Sequence, residues 1–369
     1  MLTIEMLPAR NGDCLWITYG SGPHRHHVLI DGGYEASSEL VRQRFAADAK
    51  VRLDLMILTH IDEDHILGGI QLLARDELTA DRVDDVWFNG WKQLVDVPVE
   101  DDELGAKQGE YFSALLDKKG LAWNRAFAGG PICVPSNGAP PTATLKGGLK
   151  LTILSPDTSK LRTLHAKWKA ELKGTKIKPG DFDAAFKLLR DDSKYDTDEL
   201  GPLNIAKLAE AAFKEDNTAP NGSSIAVLAE YEGKRLLLTG DAHPSVMAAT
   251  LERLGYTRET PLAVDVLKLS HHGSQAQHEP RAARVPHVSP RARVDQRRAV
   301  QPSASPVDRA RGGGPRGCRP ALQLHEQVQR VMARSCEPEE VEVHRRPWRR
   351  WRIHARRRQV AGQHAAGSE

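Results

Sequence analysis

The sequence predicts an α/β protein. Short apolar runs of strand length, rich in Val, Ile and Leu, alternate with segments of helical period, and three of those runs end abruptly in clusters of His, Asp and Ser. A chain of 369 residues is long enough to bury a substantial core. Its charge is divided in two. From Gln277 onward there are 20 Arg, no Lys and 9 Asp or Glu, a net +11, whereas the residues before it carry 32 basic and 40 acidic groups, a net −8. Tyr256 is the last Phe or Tyr in the chain. A folded domain over residues 1–276 and a separate Arg-rich tail over 277–369 are therefore expected.

In chain order, Leu2 to Leu7 alternates as a strand, and the Asn11-Gly12-Asp13 turn leads to a second strand at Leu15 to Tyr19. His27 to Asp31 forms a third, closed by Gly32-Gly33, and Ser37 to Asp48 reads as a helix with Ser at its start. Leu53 to Thr59 is a buried strand that delivers His60, Asp62, Glu63, Asp64 and His65 to its C-terminal end. A helix is expected from His65 to Ala74, with Gly68 and Gly69 allowing a close approach to the loop before it. Strands follow at Val83 to Asn89 and Leu149 to Ser155, with a helix near Tyr111 to Lys118 between them. Residues 157–216 are polar and Lys-rich and read as a helical insertion decorating the surface, with His165 and Trp168 assigned to packing. Ile225 to Asp241 holds two apolar runs joined by Glu232-Gly233-Lys234, a hairpin. Pro244 to Tyr256 is an amphipathic helix, and Val264 to Leu269 is a buried strand ending in Ser270-His271-His272-Gly273-Ser274.

The cluster after Thr59 is the densest chemistry in the chain. His60, Asp62 and Asp64 alternate along an extended or turning backbone, and His65 opens the helix beside them. Imidazoles and carboxylates packed this closely strand charge unless a cation sits among them. Taken alone, the stretch also reads as a solvated acidic loop. Cys14, Cys133, Cys318 and Cys336 form no CxxC pair, which suits a reducing compartment and argues against a thiolate zinc site. No apolar run is long enough to span a bilayer, and the N-terminus lacks a basic region followed by a hydrophobic one, so a soluble, cytoplasmic protein without a membrane partner is expected.

His60-Ile61-Asp62-Glu63-Asp64-His65 resembles the HxHxDH signature of the metallo-β-lactamase superfamily, with Asp62 where the second His usually stands. The variant HxDxDHxGG, here with one extra residue before Gly68-Gly69, resembles the hydrolase domain of the competence protein ComEC and its soluble relatives. Three further stretches resemble the same proteins: GDCLWI followed by LIDGG around Asp31, the block from Asn221 and Ser224 to Thr239-Gly240-Asp241, and SHHGS at 270–274. The resemblance implies a four-layered αββα sandwich holding two divalent metal ions, Zn or Mn. It implies His60 and Asp62 on one ion, Asp64 and His65 on the other, Asp241 bridging, and His271 or His272 completing the second position. Asp31, Asn221 and Ser224 would support those ligands from behind, although Asp31 also reads as a plain turn cap. Asp64 is the expected catalytic residue. A hydroxide held between two metals then implies a metal-dependent hydrolase, first a phosphodiesterase or nuclease with a nucleic acid or phosphodiester as substrate. A lactonase or thioesterase, or an inactive metal-binding module, are the alternatives. The Asp at position 62 and the absence of a His between residues 66 and 240 other than His165 leave the first position ligand-poor and favour manganese.

Beyond Ala276 the expected second half of the sandwich is missing. Shifted forward by one nucleotide, the codons permitted for Gln277 to Arg284 allow N-T-S-R-E-L-L, those for 299–304 allow Q-F-N-H-P, and those for 322–333 allow C-S-F-T-N-K-Y-N-E-L-W. All three look like the continuation found in ComEC-type hydrolases, so a frame slip is expected to have produced the tail, leaving it without a stable core. The alternative is a disordered basic arm whose Arg and Trp bind nucleic acid through phosphates and stacking.

Overall fold

The computed structural model describes residues 1–9, 12–94, 106–173, 175–191, 218–257 and 259–270, together with the backbone of 288–294 and 350–353. It is a mixed α/β structure with two six-stranded sheets among the described residues. The first sheet takes β1 (Leu2–Met6), β2 (Leu15–Ser21), β3 (His24–Ile30), β4 (Leu55–Ile57) and β5 (Val86–Trp87) in that spatial order, antiparallel through β3 and parallel from β3 to β5. The second runs β6 (Thr142–Thr144), β7 (Lys150–Ser155), β8 (Ala226–Tyr231), β9 (Lys234–Leu238) and β10 (Leu262–Lys268), antiparallel through β9 and parallel from β9 to β10. Glu232 and Gly233, both left-handed at φ 46° and 75°, close the β8–β9 hairpin as a two-residue primed turn.

Alternation along the strands sorts the core into three clusters. Ile4, Ile17, Val28, Ile30 and Ile57 of the first sheet meet Leu151, Ile153, Val227, Leu236 and Val266 of the second, so the two sheets pack face to face. The opposite face of the first sheet, with Trp16, Leu29, Met56 and Phe88, is covered by α1 (Glu35–Ala47), α2 (Glu63–Ala74) and α4 (Ala106–Lys118), with the short α3 (Trp91–Leu94) beside them. The outer face of the second sheet, with Leu228, Leu237 and Leu262, takes Met247 and Leu251 of α8 (Pro244–Arg253).

Several expectations shift in detail. α1 begins at Glu35, two residues before the Ser expected to start it, because Ser37 and Ser38 donate instead to the Pro8 carbonyl and the Gln71 side chain. The strands expected over 53–59 and 83–89 contract to β4 and β5, with the Thr59 N–H going to Asp31 and the Phe88 N–H to Asn124 Oδ1 instead of to the ladder. The helical insertion is not a surface decoration in its first part. In α5 (Thr158–Leu172), Leu161, Leu164, Trp168 and Leu172 join the core beneath α4, and α6 (Phe182–Arg190) adds Ala185 and Leu189. Trp168 also donates to the buried carboxylate of Glu110, and His165 stacks on Trp91 at 4.5 Å.

From the Arg-rich region, β11 (Val288–Val294) lies parallel to β10 and β12 (Arg350–Ile353) antiparallel to β1, each at a sheet edge. The remainder of 277–369, including all three frame-slip peptides, lies outside the described residues, as does 192–217 of the insertion. No helix among the described residues is long and apolar enough to cross a membrane.

Candidate metal centre

The centre forms where the C-terminal ends of β3, β4, β9 and β10 converge, the edge at which open α/β layers present ligands. Asp31 leaves β3 in the left-handed region, at φ 58°, and is fully buried. A non-glycine residue held there is strained, and its carboxylate repays the strain with three contacts. It accepts from the Thr59 N–H at 2.7 Å, from Thr59 Oγ1 at 2.8 Å and from His65 Nδ1 at 2.8 Å. With Nδ1 bound to a carboxylate, the His65 ring is fixed in orientation and its Nε2 is turned to the site, the arrangement that metal-bound imidazoles use.

Glycines let two backbones meet beneath this contact. The Gly32 N–H donates to His65 O, and the Gly68 N–H to Gly33 O, both at 2.9 Å. A Cβ on Gly68 would sit 2.2 Å from Gly32 O. Gly12 is pressed so closely on the Asp64 carbonyl that no side chain fits there.

His65 Nε2 lies 3.5 Å from Asp241 Oδ2 and 3.9 Å from Asp64 Oδ1. His60 is buried in the loop after β4, its ring centroid 4.1 Å from that of His65. Its Nδ1 meets Thr59 Oγ1 at 3.0 Å, while Nε2 makes no hydrogen bond and lies 3.5 Å from Asp62 Oδ2. Asp62 caps the backbone of α2, yet its side chain takes no part in the cap and remains on the His60 side.

His60, His65 and Asp241 each place one ligand atom within 4.8 Å of the others. A buried imidazole nitrogen with no hydrogen bond, beside a second imidazole oriented by a carboxylate, is a donor set that fits a divalent metal. Asp62 and Asp64 fall outside that close triad, each beside one of the two histidines. Burial alone would pull the His65 imidazole down, but Asp241, Asp64 and Asp31 outweigh it and hold its pKa well above the ordinary value.

Asp241 sits in the turn after β9, and its N–H donates to Ser224 Oγ at 3.0 Å. Ser224 is reached through α7 (Ala219–Gly222), whose Asn221 is buried, and the Ile225 N–H donates to Thr59 O, tying the two sheets together at the site. His271 and His272 lie outside the described residues. The chain leading to them is held by Ser270 Oγ, which donates to Ala242 O at 2.6 Å.

Two residues that sequence reasoning passed over, Lys268 and Asp13, stand against the site. Lys268, the last residue of β10, is buried, with Nζ paired to Asp13, donating to Gly240 O at 2.9 Å and lying 3.5 Å from Asp241 Oδ1. Burial opposes its charge, yet Asp13 and Asp241 prevail and raise its pKa above the usual lysine value. A lysine inside the apolar run Val264 to Leu269 was the available signal. Cys14 and Cys133 offer no nucleophile, since burial pushes both thiols up.

No protein-family model matches the chain. Hydroxyacylglutathione hydrolase of Photobacterium profundum is 36% identical to it over 75 residues, 20% of this chain and 27% of that protein. The matched stretch thus spans about a quarter of the relative's length. Among solved structures, the crystal structure of CmlA, a diiron beta-hydroxylase from Streptomyces venezuelae, overlaps 73% of this chain and 34% of that one, at 16% identity and a TM-score of 0.31. That likeness is too slight to bear on fold or function.

Proposed function

We propose that this chain is a metal-dependent hydrolase of the metallo-β-lactamase superfamily, close to the ComEC-like hydrolases, with its two sheets and flanking helices arranged as that αββα sandwich. The observation that carries the reading is the convergence of His60, His65 and Asp241 from two different sheets, with Asp31 fixing the His65 tautomer. Sequence motifs in the superfamily's order and the 75-residue likeness to a hydrolase support it.

In this reading two divalent ions, Zn or Mn, are held by His60 and Asp62 and by Asp64 and His65, with Asp241 shared and His271 or His272 completing the set. Bound metal supplies a Lewis acid and a lowered pKa for water. The chain's own groups do the rest. Asp31 keeps the His65 Nε2 lone pair turned to the site, and Ser224 holds the Asp241 turn by its backbone. Asp64, partly exposed beside His65, is placed to hold the proton of the attacking water. Asn221 is buried, and its carbonyl accepts from the Ser224 N–H at 3.1 Å.

A phosphodiester, including one in a nucleic acid, is the first substrate proposed, on the ComEC-like motif alone. An acyl thioester is the second, favoured by the likeness to hydroxyacylglutathione hydrolase. The tail after Ala276 is proposed to come from a frame slip, which resequencing of the gene tests directly. The full chain, loaded with Mn2+ or Zn2+, should cleave bis-p-nitrophenyl phosphate, and Asp241→Ala should lose both the metal and the activity. Cleavage of S-lactoylglutathione in place of the phosphodiester would move the reading to the thioesterase. Full metal content with neither activity would leave a metal-binding module, and no metal at all would end the hydrolase reading.

A further inference from the structure

We infer that Lys268 is a built-in cation of the centre: it occupies Asp241 Oδ1 and so restricts metal ligation by Asp241 to Oδ2. The ammonium donates to Gly240 O at 2.9 Å, pairs with the Asp13 carboxylate, and lies 3.5 Å from Asp241 Oδ1. Both Lys268 and Asp13 have side chains only 1% exposed, so neither reaches bulk solvent. Thr239 Oγ1 donates to the Lys268 carbonyl at 2.9 Å, locking the end of β10 to the strand that carries Asp241. On the far side of the carboxylate, Oδ2 faces His65 Nε2. The two oxygens of Asp241 therefore face different cation positions: one filled by a side chain, the other beside the histidine pair.

Two consequences follow from charge. Without metal, Lys268 compensates Asp13 and Asp241, which would otherwise be buried together as like charges. With metal, the lysine lies close enough to oppose a cation on Oδ2, and it weakens binding while it keeps Asp241 in place. The inference rests on the metal-centre reading for what Oδ2 binds, but the contacts of the lysine are independent of it.

The test compares the full chain, Lys268→Met and the double variant Asp13→Asn with Lys268→Met, each stripped with EDTA and then titrated with Mn2+ by calorimetry. In EDTA, Lys268→Met should lower the unfolding midpoint by about 5 °C or more, and the double variant should recover part of that loss. The double variant should bind Mn2+ about tenfold or more tightly than the parent, and adding Asp241→Asn should erase the gain. A lysine with a purely structural role would not tighten metal binding when removed. Unchanged stability of Lys268→Met in EDTA, or Mn2+ binding by the double variant no tighter than the parent's, overturns the inference. If the parent binds no Mn2+, the hydrolase reading falls by itself; the lysine inference then stands only if the double variant gains a site that Asp241→Asn removes, and otherwise falls with it.

Discussion

Asp31 and Glu110 are both carboxylates with no exposed surface, yet they are buried for different ends. Asp31 spends its oxygens on Thr59 and on His65, a ring whose other nitrogen faces Asp241. Glu110 accepts through one oxygen from Trp168 Nε1 and from the Gly180 N–H, both at 2.9 Å, and its other oxygen makes no hydrogen bond. Its partners carry no charge, and burial pushes its pKa up. A buried acid bonded to a titrating ring passes its charge on to a site, whereas one bonded to neutral N–H groups ties helices together. Depth of burial does not distinguish them; the partners do.

The comparison is broken most severely at Asp31. Asp31→Ala removes three contacts and leaves the His65 ring without its anchor, so it should cost about 3–5 kcal/mol in urea unfolding and weaken metal binding roughly ten- to a hundredfold in titration. Stability within about 1 kcal/mol of the parent would mean that the anchor does not matter. Gly68→Ala attacks the same contact from the backbone: its Cβ would meet Gly32 O at 2.2 Å, and a loss of about 2–3 kcal/mol is expected. Glu110→Ala should cost about 1–3 kcal/mol through the two N–H groups it strands, with metal affinity unmoved. Ser224→Ala removes the acceptor of the Asp241 N–H and should cost about 1 kcal/mol, with a small fall in metal affinity that Glu110 variants do not share.

The smallest effect sharpens the comparison through pH. Because the Glu110 pKa is raised on folding, the folded chain binds that proton more tightly than the unfolded chain. Stability is therefore lost as pH rises from the ordinary carboxylate range through the raised value. Glu110→Gln keeps an acceptor for both N–H groups and removes the titration. The variant should match or exceed the parent near neutral pH, and its advantage should shrink on acidification. A constant difference across that window in thermal melts would assign the effect to packing.

Local order along the chain explains how much of this was legible. Strands β1 to β3, the β8–β9 hairpin and helices α2 and α8 announce themselves by period and by turn residues such as Glu232-Gly233, which act over a few positions. His60, Asp62, Asp64 and His65 stand out because they are neighbours in the chain. Trp168 was read as a packing residue, but the core role of the rest of α5 was not legible, since Leu161 and Leu164 lie among lysines and their partner surface on α4 is distant in sequence.

The sequence by itself determined which strand ends carry His and Asp and which glycines permit close backbone contact, because periodicity, turn chemistry and residue type are local properties. Only the tertiary structure decided which of those groups meet. His60 and His65 converge with Asp241 from the other sheet, Asp31 turns His65 by its second nitrogen, and Lys268 finds Asp13 from the opposite end of the described chain. The motif resemblance already implied Asp241 and Asp31 at this site. The contacts that bring Lys268 to Asp13 depend on how two sheets stack and on desolvation at their shared edge, which local sequence does not record.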